Sequence, residues 1–211
     1  MAREQREAQY VAARIKEVYE SPVQGNFDID HLKVIHSYLF QDFPEYKPGI
    51  VRDDTRDGWI KMRLLEGQSA GYHVHYAHEN IEGRISDTLN AFGGPNTLKG
   101  LAHEGKANRM AKLYGDLDHM HGFHEGNSRT LREFTRMLAA AAGHALDWTG
   151  TGVGANERNM LYVARDVAVL ERAFPGLTPE SAMLTEDRAE YEASFVLTAL
   201  EGRKPGPSGP G

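Results

Sequence analysis

The sequence predicts an all-α fold, a helical bundle carrying one small β-hairpin, and three observations lead there. Apolar residues recur at helical spacing among charged ones over most of the chain. Only residues 58–76 alternate apolar and polar side chains with the period of a strand. Glycine and proline then punctuate the helical stretches at Gly94-Pro95, Gly152 to Gly154 and Phe174-Pro175-Gly176.

In chain order, residues 4–19 place Tyr10, Val11, Ile15 and Val18 on one face of an opening helix. Ser21-Pro22 and Gly25-Asn26 form a loop, and either Asp28 or Asp30 is suited to cap a second helix bearing Leu32, Ile35, Leu39 and Phe40. Residues 43–56, with two prolines and a glycine, read as irregular. Strands are expected at 58–64 and 72–76, followed by helices at about 79–92, 95–117, 128–143, 155–173 and 187–200. The last residues are rich in glycine and proline and are expected to be a flexible tail or truncated linker at 204–211. No internal repeat or second domain is visible, so residues 1–203 are expected to form a single domain.

Composition removes several classes of function. The 211 residues are 40% hydrophobic and 26% charged, which is globular. Twenty-four Lys and Arg against 30 Asp and Glu leave a net charge of −6, without the cationic excess that duplex nucleic acid demands. A local basic pocket for a small phosphate ligand stays open. With no cysteine, disulfides, thiolate zinc sites and a cysteine nucleophile are excluded. The longest apolar stretch, Met137 to Ala145, is interrupted by His144 and is far shorter than the roughly 20 residues of a membrane span. The first residues lack the apolar core of a signal peptide, so a soluble chain made in the cytoplasm is expected.

The segment His121-Gly122-Phe123-His124-Glu125-Gly126-Asn127-Ser128-Arg129-Thr130-Leu131-Arg132 departs from the helical pattern. It links two helices through a glycine that tolerates unusual backbone angles. Asn127 or Ser128 is a natural N-cap. Backbone N–H groups near 126–129 then face an anion at a helix N-terminus, where the dipole also favours it. Arg129 and Arg132, three apart, lean over the same turn and complete a polyphosphate cradle. Glu125 beside it suits a Mg²⁺ ion bridging carboxylate and phosphate. His121 is the nearby group suited to accept a proton near neutral pH.

Taken together, these residues resemble the Fic family signature His-x-Phe-x-(Asp/Glu)-Gly-Asn-Gly-Arg-x-x-Arg, with Ser128 the one departure. The likeness extends outward. Residues Asp30 to Asp42 look like the helix that opens the family's core. Lys47-Pro48-Gly49-Ile50-Val51-Arg52 stands where Fic domains often carry Trp-Ala-Gly-x-x-Arg, and Ala142 to Trp148 resembles the stretch closing the helix after the motif. The match spans about residues 30–175.

The resemblance implies a Fic fold helical bundle with its hairpin flap at about 58–76, transferring AMP from ATP to a Ser, Thr or Tyr hydroxyl of a target protein. By position His121 is then the base, Phe123 anchors the loop and Glu125 holds Mg²⁺. Asn127 and the N–H groups of Gly126, Ser128 and Arg129 steady the α-phosphate, and Arg129 and Arg132 grip the β- and γ-phosphates. The flap takes the target segment by strand addition. Family relatives that transfer UMP, phosphocholine or phosphate offer alternatives, as does a catalytically idle module in a toxin–antitoxin-type complex. Bacterial effector and toxin members suggest delivery into a host cell by a secretion system.

Two features test that resemblance. A positive φ at Ser128 would cost about 1 kcal/mol or more, whereas a helical Ser128 simply caps. The family's inhibitory pattern (Ser/Thr)-x-x-x-Glu-(Gly/Asn) is absent; Glu201-Gly202 comes nearest, with Leu197 at the required hydroxyl position. A separate small antitoxin-like protein or an unrestrained enzyme is therefore expected, with a diverged inhibitory helix around 194–202 as the alternative. His73-x-His75-x-x-His78 and His119-x-His121-x-x-His124 carry imidazole ligands for zinc, but no HExxH motif accompanies them. His73 and His75 are expected to decorate the flap.

Overall fold

The computed structural model describes residues 3–56, 58–64, 67, 71–149 and 154–175. The expected helix at 187–200, the Glu201-Gly202 pair and the tail lie outside the described residues. The fold is mostly helical with a two-stranded antiparallel sheet. The chain divides into two compact units, Met1–Asp54 with Glu79–Asp147, and Thr55–His78 with Trp148–Gly211.

The first unit contains α1 (Arg3–Glu20), α2 (Ile29–Phe40), a 3-10 turn at Pro44–Tyr46, α3 (Ile81–Phe92), a second 3-10 turn at Pro95–Leu98, α4 (His103–Met120) and α5 (Asn127–Ala141). Of the two candidate caps, Asp28 is the one used: its Oδ1 accepts from the His31 N–H at 2.9 Å. Leu32, Ile35, Leu39 and Phe40 form the buried stripe of α2, which packs on α5 with its buried Leu131, Phe134 and Leu138. Each such side chain contributes about 1.5–3 kcal/mol by leaving water. Phe27 closes this layer, edge-on to Phe134 at 5.8 Å.

Two helix starts differ from expectation. The single helix expected over 95–117 is a 3-10 turn and a separate α4, because the chain at Gly100 takes φ +79° and breaks the ladder. The helix expected from about 79 begins at Ile81, after Asn80 in a left-handed conformation (φ 49°). Its cap comes from outside: the Asp54 carboxylate accepts from the N–H groups of Asn80 and Ile81 at 2.7 and 3.0 Å.

The second unit contains β1 (Trp59–Leu64), β2 (Gly71–Tyr76) and α6 (Ala155–Ala173), with Trp59 opposite Tyr76 and Leu64 opposite Gly71. The expected hairpin is present. Its inner face packs Tyr72, Val74 and Tyr76 on Val169, flanked by Trp59, Tyr162 and Val163. The buried Asp166 on α6 receives two parallel bonds from Arg63, at 2.8 and 3.0 Å, and the Tyr72 hydroxyl at 2.6 Å. Burial and the neighbouring Asp166 carboxylate hold the Tyr72 phenol well above its ordinary range. Ile60, Met62 and Leu64 alternate outward and are exposed, with His75 and His73 opposite Ile60 and Met62 on that same face. No described helix is long and apolar enough to cross a membrane.

Candidate active site

The site is built where α4 ends and α5 begins. His121 is the C-terminal cap of α4, in a left-handed conformation (φ 46°, ψ 54°) that is uncommon for a residue with a side chain. What holds it there is Arg52. This buried guanidinium donates to the carbonyls of His121 (2.7 Å) and Met120 (3.0 Å), and the Arg52 N–H donates to Gly122 O at 2.9 Å. A cation on the last carbonyls of a helix also complements its dipole. Burial lowers the Arg52 pKa to about 10, so it stays charged at neutral pH.

From His121 the chain dips inward. Phe123 is buried and stacks flat on His36 of α2, with centroids 3.8 Å apart and planes at 4°. Gly126 then turns outward with φ 78°. A side chain here would collide with the Phe40 ring, so glycine is required by contact as well as by angle. Asn127 does not cap the helix forwards. Its carboxamide reaches back, accepting from Phe123 N–H at 2.8 Å and donating to Phe123 O at 2.6 Å. The N-cap is Gly126, with no side-chain cap bond, which corrects the expected capping by Asn127 or Ser128. The reason is local: the closed Asn127–Phe123 ring uses the side chain that a cap would need.

The first helical backbone bond of α5 runs from Thr130 N–H to Gly126 O, so the N–H groups of Asn127, Ser128 and Arg129 precede the ladder. Ser128 is the second residue of α5 and has no positive φ. The departure from glycine therefore carries no backbone strain. Replacing Ser128 with Gly is expected to change kcat/KM less than threefold and stability by less than about 1 kcal/mol, read by kinetics and thermal melting.

The two arginines diverge. Arg132 donates from Nε to Ser128 O at 3.3 Å and stays over the first turn. Arg129 lies over the Phe40 ring at 4.8 Å and pairs with Glu7 of α1 at 2.6 Å. Glu7 also accepts the Tyr46 hydroxyl at 2.6 Å. Glu125 exposes its side chain while its carbonyl is held by His36. Among the described residues, no three His, Cys, Asp or Glu side chains gather as a metal site.

His36, Arg52 and Glu7 were not singled out as site residues by the sequence. His36 accepts the Gly49 N–H on Nδ1 (2.9 Å), so its proton is on Nε2, which meets Glu125 O at 3.0 Å. Burial, with the Arg129 charge adding to it, lowers its pKa to about 4. His31 is likewise lowered by burial. Both bind protons more readily when unfolded, so stability they contribute is complete above pH 6.5 and falls as the pH drops, for His36 towards about 4. Urea unfolding at pH 7 and pH 4.5 is expected to show this loss, and His36→Gln should flatten the slope.

With this geometry in view, residues 26–139 match the Fic/DOC family. The chain belongs to that family. It is similar to the protein adenylyltransferase VbhT of Bartonella schoenbuchensis, with 32% identity over 143 residues, 67% of this chain and 27% of VbhT. The chain thus spans about a quarter of the length of that curated relative. The N-terminal Fic domain of a VirB-translocated Bep effector from Bartonella quintana, solved with bound ADP, aligns with a TM-score of 0.61 and 28% identity. That alignment covers 80% of this chain and 78% of the effector domain. BepC from Bartonella tribocorum, solved with bound AMPPNP, shares the fold at a TM-score of 0.61 and 24% identity over 92% of this chain and 85% of its own.

Proposed function

We propose that this Fic chain is a protein adenylyltransferase that moves AMP from ATP to a Ser, Thr or Tyr hydroxyl of a target protein. The observation that carries the reading is the pairing of a His121 held at the end of α4 with the start of α5, six residues on, whose first N–H groups precede the helical ladder. The naming of relatives such as VbhT as protein adenylyltransferases supports it.

In this reading His121 takes the proton of the target hydroxyl as its oxygen bonds to the α-phosphorus. The bond from that phosphorus to the bridging oxygen breaks, and pyrophosphate leaves. The N–H groups of Gly126, Asn127, Ser128 and Arg129 meet the α-phosphate and its neighbours, assisted by the second Asn127 amide proton. Arg132 and Arg129 hold the β- and γ-phosphates. The exposed Glu125 carboxylate fits Mg²⁺, which takes one or two carboxylates and completes its shell with phosphate oxygens and water. Bound there, the ion would neutralise phosphate charge. The whole of residues 1–203 serves as the Fic domain with a core at about 30–175, and 204–211 as a flexible tail or truncated linker. The hairpin at 58–76 docks the target segment, either a separate antitoxin-like protein supplies inhibition or the enzyme is unrestrained, and delivery by a secretion system brings the chain to its target.

Arg129 reaches phosphate only by exchanging its Glu7 partner. Because that bridge still meets solvent, with its side chains 29% and 18% exposed, its loss is worth up to about 1 kcal/mol. Glu7→Gln is therefore expected to lower KM for ATP by up to about fivefold. The donor is decided by parallel labelling with α-³²P and γ-³²P ATP. Protein label from α alone supports AMP transfer; label from γ alone assigns phosphate transfer instead, and label from neither denies both.

A further inference from the structure

We infer that His36 is a positioning residue: its Nε2–H fixes the Glu125 carbonyl and so turns the Gly126 N–H towards the anion site. The inference rests on the phosphate-cradle reading above and adds a residue to it. Glu125–Gly126 is a trans peptide, so its C=O and N–H point in opposite directions in one plane. Whatever holds the Glu125 oxygen therefore fixes where the Gly126 N–H points. That oxygen is held at 3.0 Å by Nε2 of His36, a side chain from the core face of α2. The N–H is thereby turned away from the imidazole, on the side where α5 opens.

The imidazole has little freedom to let go. Gly49 N–H occupies Nδ1 at 2.9 Å, which assigns the tautomer and places the proton on Nε2. Phe123 stacks on one face of the ring, and Phe40, one helical turn further along α2, lies 4.9 Å from it. Phe40 in turn excludes any side chain at Gly126 and carries the Arg129 guanidinium. His36 and Phe40 thus form a floor that the loop must follow, one by a hydrogen bond and the other by contact. A peptide flip at 125–126 would exchange a part-buried bond for a carbonyl facing phosphate, so the fixed imidazole disfavours it.

Gln places an amide nitrogen where His36 has Nε2, and Asn places its amide where His36 has Nδ1. The pair therefore separates the Glu125 hook from the rest of the ring. In the full chain, His36→Gln is expected to keep kcat/KM for ATP within threefold of the parent, and ADP affinity by calorimetry likewise. His36→Asn is expected to lose at least tenfold in both. Equal losses, or equal retention, at a temperature where both variants are folded would overturn the proposal, because a merely structural ring would move melting temperature alone. If the Asn variant does not fold, ¹⁵N NMR of the parent decides. A proton on His36 Nε2 at pH 7, with the Gly126 amide among those most shifted by ADP, supports the role. A proton on Nδ1 or an unmoved Gly126 amide contradicts it. Should the parent bind ADP with this pattern yet transfer no AMP, the adenylyltransferase reading fails while the positioning role stands. Should the parent transfer AMP while both variants match it, the positioning role fails alone.

Discussion

His121→Asn is expected to lower AMP transfer by about 10²–10⁴-fold while ADP binding and melting temperature stay near the parent values. The substitution is chosen from the backbone. His121 sits at φ 46°, a conformation asparagine tolerates better than alanine does. His121→Ala is expected to lose transfer equally and to cost about 1 kcal/mol more in stability. Neither change touches the bonds from Arg52 to the carbonyls of residues 120 and 121, which are main-chain. The loop therefore stays formed when the base is gone. Transfer at parent rates by either variant would assign the proton to another group.

The second large effect is expected from Gly126→Ala. One methyl group meets two penalties, a positive φ of 78° and a collision with the Phe40 ring. Together these amount to about 3 kcal/mol, combining roughly 1–2 for the left-handed angle with 1–3 for overpacking. At this chain length that lowers the melting temperature by roughly 6–12 °C. Relief requires either the loop to lift or Phe40 to move, and Phe40 also carries Arg129. ADP affinity should therefore fall by more than tenfold even at low temperature. A variant that melts early but binds ADP normally would show that the loop is not the nucleotide site.

Much of this was legible in the sequence because it is local. The hairpin alternates residue by residue, α2 keeps its apolar stripe, and the turn from His121 to Arg132 concentrates charged and small residues in one place. What was not legible depends on chain brought from afar. Arg52 ends the stretch that resembles a family pattern, but nothing local to it shows that it closes α4 across 69 residues of sequence. Asp54 caps α3 from outside the helix, which moves its start to Ile81. His36 looks like one more polar residue on α2, and its tautomer is set only by the Gly49 N–H. Arg129 and Arg132 share a helix face by spacing, but Glu7 draws Arg129 aside from 122 residues away. Ser128 shows the opposite case, where two outcomes were open and the helical one removes the concern about strain.

The central claim is that the His121 loop transfers AMP to a protein hydroxyl. It is tested most directly by mass spectrometry of target peptides after incubating a lysate with the full chain, ATP and Mg²⁺. An adenosine monophosphate adduct on a Ser, Thr or Tyr side chain, present with the parent and absent with His121→Asn, is the result expected. A phosphate-only or other adduct with the parent, no adduct at all, or AMP adducts that persist with His121→Asn would contradict the account.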